Sequence, residues 1–249
     1  MFLDFDGSLA DIVADPFAAR VRPDARAALV KLVDSGARVA IVSGRPVAFL
    51  VEALDVDGLL LVGQYGLERA DRGEVVVTPE VTRYRSAVAA AAAELDAALP
   101  GLLVERKGDI ALTVHWRQAP ERDTEAIARV DEIASRHNLA QHATRMAREL
   151  RPPVDSDKGT AVEALLAPGF AAACFAGDDR GDLPAFDALD RLTASGLLGA
   201  AVRIAVSSSE AVPELLARAD VTVAGPAGLA ALLHTLADAR AAPPPSGTS

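Results

Sequence analysis

Short apolar runs alternate with helix-spaced segments toward both ends of this chain, and that order restricts its fold more than any other feature. The first run, "FL" with the polar "DFDGS" behind it, is followed by "RPDARAALVKLVDSGA", whose apolar spacing predicts a helix with Asp24 near its start and Gly36 near its end. "RVAIVSGRP" reads as a compact strand and "PVAFLVEAL" as a second helix. The alternation restarts at "DSDKGTAVEALL": "AAACFAGDD" reads as a buried strand, "LPAFDALDRL" as a helix, and "AVRIAVSS" and "VTVAG" as strands. Strand, helix, strand in succession implies an α/β fold with a Rossmann-like parallel-sheet core covered on its faces.

The middle of the chain breaks this rhythm. "GLLLVGQYGLE" and "GEVVVTP" read as further strands that meet as a hairpin around "ADRGE". From about Val81 comes an alanine-rich helix, "RSAVAAAAAELDAAL", then the strand-like "LLVERKG" and "IALTVHWR", the helical "DTEAIARVDEIASRHN", and "TRMARELRP". We therefore expect a core of residues 1–82 and 154–239, an inserted small domain at 83–153, and a tail, 240–249, too poor in apolar residues to pack and expected to be disordered.

Composition narrows the function classes. With 25 basic and 35 acidic residues the formal net charge is −10, which argues against a broad nucleic-acid surface while leaving room for a local cationic pocket. The single cysteine, Cys174, forms no internal disulfide and builds no thiolate metal site. No basic and apolar leader precedes the first strand and no apolar run is long enough to span a bilayer, so the expectation is a cytoplasmic protein with no membrane partner. Only Met1–Leu3 precede Asp4, fewer than the roughly five residues of a usual strand, so either the first strand is clipped or the true start lies upstream.

Ligands of open parallel sheets bind beyond the carboxyl ends of the strands, and four polar clusters fall there. In "DFDGS", strand alternation puts Asp4 and Asp6 on one side if the strand continues, and Gly7 permits a sharp turn. One carboxylate then serves as nucleophile and the other as acid and base; the structural alternative is a loop pair accepting backbone amides. In "VSGRP", Ser43 or Gly44 begins a helix with Pro46 in its first turn, an end whose amides suit phosphate, and Arg45 is either a cationic fork or a solvated side chain. Lys158 stands where a helix begins, opposed to the macrodipole, so it either meets an anion or is simply exposed. "AGDDRGDLPAF" crowds Asp178, Asp179 and Asp182, a set of hard oxygen ligands that suits magnesium, although Asp182 also reads as a cap for the helix containing Pro184. Together the clusters fit phosphoryl transfer, and the absence of a "GxxxxGK" loop weakens a kinase or ATPase reading.

In the order "DFDGS", "SGR", lysine and "GDD", these residues resemble the haloacid-dehalogenase-like superfamily of aspartate-nucleophile phosphatases. More narrowly, "DFDGSLADIVADP", "VSGRP", "GQYGLE", "VERKGDIALTVHWR", "ELRPPVDSDKG" and "GDDRGDLPAF" are similar to the trehalose-6-phosphate phosphatase family, from Phe2 to about Gly228. The resemblance implies that Asp4 takes the phosphoryl group as an aspartyl-phosphate, and that Asp6 protonates the sugar oxygen and then activates water. It implies Mg2+ held by Asp4, the Asp6 backbone carbonyl and Asp178, with Asp179 and Asp182 in support. It further implies that Ser43 and Lys158 hold the phosphoryl group, with Arg45 nearby. The inserted α/β segment becomes a cap domain over a small-molecule phosphosugar substrate, with Glu105, Lys107 and Glu149 reading sugar hydroxyls and Arg117 and Arg145 as weaker candidates. His115 and Trp116 are left as cap packing.

The chain departs from the family pattern at four places. Ser8 replaces the usual threonine, "GDDRGDLPAF" lacks the threonine and later acidic pair, Arg180 either weakens the cation site or pairs with Asp179, and "GQYGLE" stands for "NHGLE". The alternatives are a phosphatase for another sugar phosphate, of the sucrose-phosphate type, and a non-catalytic phosphosugar-binding module.

Overall fold

The computed structural model describes residues 1–13, 15–71, 74–144, 146–166, 169–208 and 212–241. The chain forms two compact units, Met1–Val75 with Ser156–Ser249, and Val76–Asp155. The breaks fall seven residues before the expected 82/83 and two after the expected 153/154.

The first leg of the larger unit runs β1 (Phe2–Leu3), α1 (Pro23–Asp34), β2 (Ala40–Val42), α2 (Val47–Leu54), β3 (Leu60–Gly63) and β4 (Glu68–Asp71), and β5 (Glu74–Val77) straddles the boundary with the smaller unit. Pro23 opens α1 with Asp24 in its first turn, and Ala25, Ala28, Leu29 and Leu32 form its buried stripe. The "GQYGLE" segment is not one strand. Gln64, Tyr65 and Gly66 have φ of 48°, 59° and 105°, a left-handed turn that ends β3 before β4 begins antiparallel to it. The hairpin residues Arg72 and Gly73 lie outside the described residues.

The smaller unit contains α3 (Pro79–Thr82), α4 (Arg85–Ala98), β6 (Leu103–Lys107), β7 (Ala111–His115), α5 (Asp123–Arg136), β8 (Ala140–Thr144) and β9 (Ala147–Arg151). Its sheet has the order β6-β7-β9-β8 with antiparallel neighbours. One face supplies Val104, Leu112, Val114 and Leu150 to a core completed by Val88, Ala91 and Leu95 of α4 and Ala126, Val130 and Ile133 of α5. Strand β8 was not legible: "AQHAT" has neither the β-branched content nor the alternation that announces a strand.

The second leg of the larger unit adds α6 (Lys158–Leu165), β10 (Ala172–Gly177), α7 (Leu183–Ala194), β11 (Ala200–Ser207), α8 (Pro213–Arg218), β12 (Val221–Ala224) and α9 (Gly225–Ala241). The sheet order is β12-β11-β10-β1-β2-β3-β4-β5, parallel from β12 to β3. Successive strand residues feed opposite layers. Leu3, Ile41, Ala176 and Ile204 pack with α1, α2 and α9, while Phe2, Val42, Phe175 and Ala205 pack with α6, α7 and α8. The expected α/β fold with a parallel-sheet core is the one observed. Arg240 and Ala241, placed in the expected tail, close α9, and residues 242–249 lie outside the described residues. Among the described residues no helix is long and apolar enough to cross a membrane.

Candidate active site

Strand order reverses at β1, whose sequence neighbour β2 lies on one side and late-arriving β10 on the other. This is the switch point at which an open α/β sheet forms its ligand crevice. Leu3 is in register with Ala176 and Ile41, so the chain leaves the sheet at Asp4 just where β10 reaches Gly177 and Asp178 and where β2 reaches Ser43. The Asp4 amide still donates to Ala176 O at 2.9 Å.

The strand does not continue through Asp6, so alternation is not what arranges the aspartate pair. Instead Phe5 O accepts the Leu9 and Ala10 amides, both at 2.9 Å, and the chain turns back. Gly7 makes the turn at φ 77°, and a Cβ there would stand 2.1 Å from Asp178 Oδ2, so both conformation and close approach demand glycine. Asp4 is buried, whereas the Asp6 side chain is 39% exposed, and different cations hold the two carboxylates.

Lys158 is the first residue of α6, behind Asp157, whose side chain accepts the Thr160 amide as the helix cap. Its side chain is buried rather than solvated: Nζ donates to Asp4 Oδ1 and to Asp182 Oδ1, each at 2.6 Å. Burial opposes its charge, but Asp182 and Asp4 outweigh that cost and lift its pKa well above the usual lysine value. Asp182 does not cap α7 through its side chain, as the sequence allowed. Its Oδ2 accepts the Asp178 and Asp179 amides at 2.9 and 3.0 Å, which folds the "GDDRGD" turn around the lysine. Asp179 points elsewhere: it is exposed and accepts the Gly181 amide at 2.8 Å. Arg180 is also exposed, and the pairing considered between it and Asp179 is not formed.

Asp4, Asp178 and Asp182 each offer a carboxylate oxygen within 4.8 Å of the others. Burial pushes Asp178 up to about 7, with Asp182 and Asp179 adding to the effect. Burial likewise lifts Asp4 well above the carboxylate range, with Lys158 opposing and Asp182 and Asp178 reinforcing. Three buried acids facing one lysine are an electrostatic excess that a hard divalent cation relieves, and an all-oxygen donor set fits magnesium. Asp182 is already committed to Lys158 and two amides, so Asp4 and Asp178 are the better-disposed ligands. The Asp6 and Asp179 carboxylates fall outside the group.

Ser43 is buried at the end of β2, and its Oγ accepts the Arg45 amide at 3.1 Å. Arg45 grips Asp6 with two bonds of 2.8 Å, from Nε and Nη2, and its guanidinium lies 4.6 Å from the Phe49 ring centroid. Helix α2 begins later than expected, with Pro46 at the cap position and Val47 as its first residue. The Val47 amide donates to Glu68 Oε1 at 2.8 Å, so it is not open to phosphate. Glu68, which has no evident role in sequence, also accepts from Gln64 Nε2 at 3.0 Å and so ties the "SGRP" turn to the left-handed turn. Only its place in "GQYGLE" hinted at this.

In the smaller unit, Lys107 Nζ donates to Glu149 Oε1 at 3.0 Å and His115 Nε2 meets Glu105 Oε2 at 2.8 Å. Glu149 is buried, and the Lys107 and Glu105 side chains are 17% and 13% exposed, so they are not a solvated strand pair. His115 thus joins the polar face, while buried Trp116 donates to Asp123 Oδ1 at 2.7 Å. Arg117 is exposed without a partner among the described residues, and Arg145 lies outside them. A cavity of about 330 Å³ opens at the other end of the strands, lined by Phe2, Arg38, Ala40, Leu60 and Phe170, and among the described residues no carboxylate lines it.

The family model for trehalose-phosphatase matches residues 2–221. A trehalose-phosphate phosphatase of Mycobacterium tuberculosis is 36% identical over 205 residues, which cover 75% of this chain and 50% of that protein. The chain thus spans about half the length of the curated relatives it matches. The crystal structure of a trehalose-6-phosphate phosphatase related protein aligns with a TM-score of 0.79 at 23% identity, covering 96% of both chains. A haloacid dehalogenase-like hydrolase from Bacteroides thetaiotaomicron aligns at 0.62 and 14% identity, covering 94% of this chain and 98% of that one. At these identities the structural likenesses establish the fold alone.

Proposed function

From the premise that the chain belongs to the trehalose-phosphatase family, we propose that it is a magnesium-dependent phosphatase that hydrolyses trehalose 6-phosphate to trehalose and phosphate. The observation that carries the reading is Lys158, buried between Asp4 and Asp182 beside Asp178 at the switch point of the sheet.

In this reading an Asp4 oxygen attacks phosphorus, the bond to the sugar oxygen breaks, and Asp6 gives that oxygen a proton. Asp6 then takes a proton from water as it hydrolyses the aspartyl-phosphate, which restores Asp4 and releases phosphate. In the structure both Asp6 oxygens accept from Arg45, so proton donation requires that pair to open. Ser43 and Lys158 hold the phosphoryl oxygens, and Lys158 offsets the charge gathering around Asp4. Asp4 and Asp178 would hold magnesium, with Asp182 fixing the turn that presents Asp178; the ion supplies charge stabilisation on the phosphoryl group. Residues 76–155 serve as the cap, with Glu105, Lys107 and Glu149 accepting and donating to sugar hydroxyls.

The test is phosphate release by the purified chain, with magnesium or with chelator, from trehalose 6-phosphate, sucrose 6-phosphate and glucose 6-phosphate. Magnesium-dependent release confined to trehalose 6-phosphate is expected. Equal release from all three would discard the specificity and keep the core chemistry, while binding without release would make the chain a phosphosugar-binding module.

A further inference from the structure

Thr113 sits mid-way along β7, paired in register with Glu105 on β6 and Glu149 on β9, and Glu149 is paired with His142 on β8. Directly opposed residues of antiparallel strands share a face, so these four side chains form one row across the whole sheet. The other face carries Val104, Val114, Leu112 and Leu150 to the helices, so this row belongs to the polar face.

Thr113 is only 3% exposed, and its Oγ1 is fully buried with no hydrogen-bond partner. Both flanking carboxylates are held by bases: Glu105 bonds His115 on β7, and Glu149 reaches across β7 to Lys107. A buried unpaired hydroxyl is costly, and valine has the same shape without the cost, as Val114 beside it illustrates on the opposite face.

We infer that Thr113 is a specificity residue whose Oγ1 exchanges a hydrogen bond with a sugar hydroxyl seated between Glu105 and Glu149. The inference rests on the phosphosugar reading above. A hydroxyl group suits the position because it both donates and accepts: it gives its proton to a flanking carboxylate and accepts from Thr113. With one carboxylate on each side, each already held by a base, the position suits a neutral hydroxyl better than a further anion, so the sugar rather than the phosphate end of the substrate is the part recognised. Reaching Oγ1 requires the Lys107–Glu149 or the Glu105–His115 pair to open.

The experiment compares wild type, Thr113→Val and Thr113→Ser in unliganded melting temperature, in kcat and KM for trehalose 6-phosphate, and in melting-temperature gain on adding trehalose. Thr113→Val is expected to melt at or above the wild-type temperature, to raise KM about tenfold with little change in kcat, and to lose most of the trehalose gain. Thr113→Ser should stay within about twofold of wild-type KM. A Thr113→Val protein with wild-type KM and trehalose gain overturns the inference and leaves the function untouched. A lowered unliganded melting temperature for Thr113→Val also overturns it, by showing that the hydroxyl supports the fold. If wild type neither releases phosphate nor gains stability from trehalose, the functional reading and this inference fall together.

Discussion

Lys158 shows how much of this chemistry is set by single charges: a buried ammonium is tolerable because two carboxylates 2.6 Å away repay its desolvation. In the proposed mechanism Asp4→Asn removes the nucleophile at nearly constant volume and abolishes phosphate release. Asp6→Asn removes the proton carrier, together with the charge that Arg45 pairs with, and should cost about 10²- to 10⁴-fold in kcat. Rapid-mixing phosphate assays on the two variants separate these outcomes, and a wild-type rate for Asp4→Asn ends the mechanism. Asp178 adds a pH signature. Its carboxyl is at about 7 in the fold against 3.8 for the free group, so its contribution to stability is full below about pH 4 and is lost as pH rises to about 7. In chelator, the melting temperature of Asp178→Asn should therefore climb relative to wild type across that window. Magnesium should close the gap by stabilising wild type, and a constant difference would show that Asp178 carries no such shift.

Among the elements, the turns decide the site more than the strands do. Helix α2 owes its start to Glu68, a residue 21 positions away whose one oxygen accepts the Val47 amide and the Gln64 side chain. Glu68→Ala leaves those two donors buried and unpaired and should cost about 1–3 kcal/mol in urea unfolding. Since the "SGRP" turn hangs on α2, the same change should weaken the proposed hold of Ser43 on phosphate, read as a higher KM; an unchanged KM would confine Glu68 to stability. The left-handed run from Gln64 to Gly66 and the departure of the chain from β1 at Asp4 are likewise imposed by packing, and neither has a local signal strong enough to read from sequence.

At the scale of the molecule, apolar side chains gather into cores that respect the two units: two layers around the parallel sheet, and a separate one under the β6-β7-β9-β8 sheet. Separate cores predict separate unfolding events. Leu112, fully buried in the smaller unit, is a clean probe. Leu112→Ala should cost about 2–5 kcal/mol and lower one calorimetric transition while leaving the other in place. A single transition that moves as a whole would mean the units unfold as one.

The alternation of strand and helix, and with it the parallel sheet and its interruption, is legible along the chain because burial on both faces leaves a periodic apolar record. The same record brings Asp4, Ser43, Lys158 and Asp178 to strand and helix ends, since polar clusters after apolar runs have few other places to go. Which carboxylate faces which cation follows from the assembled fold alone: Asp4 meets a lysine 154 residues away, Asp6 meets Arg45, Asp182 turns inward to backbone amides, and Asp179 turns out. Only that fold leaves the Thr113 hydroxyl unpaired between two acids. These are contacts between residues distant in sequence, selected by short-range electrostatics and shape, and neither composition nor periodicity encodes them.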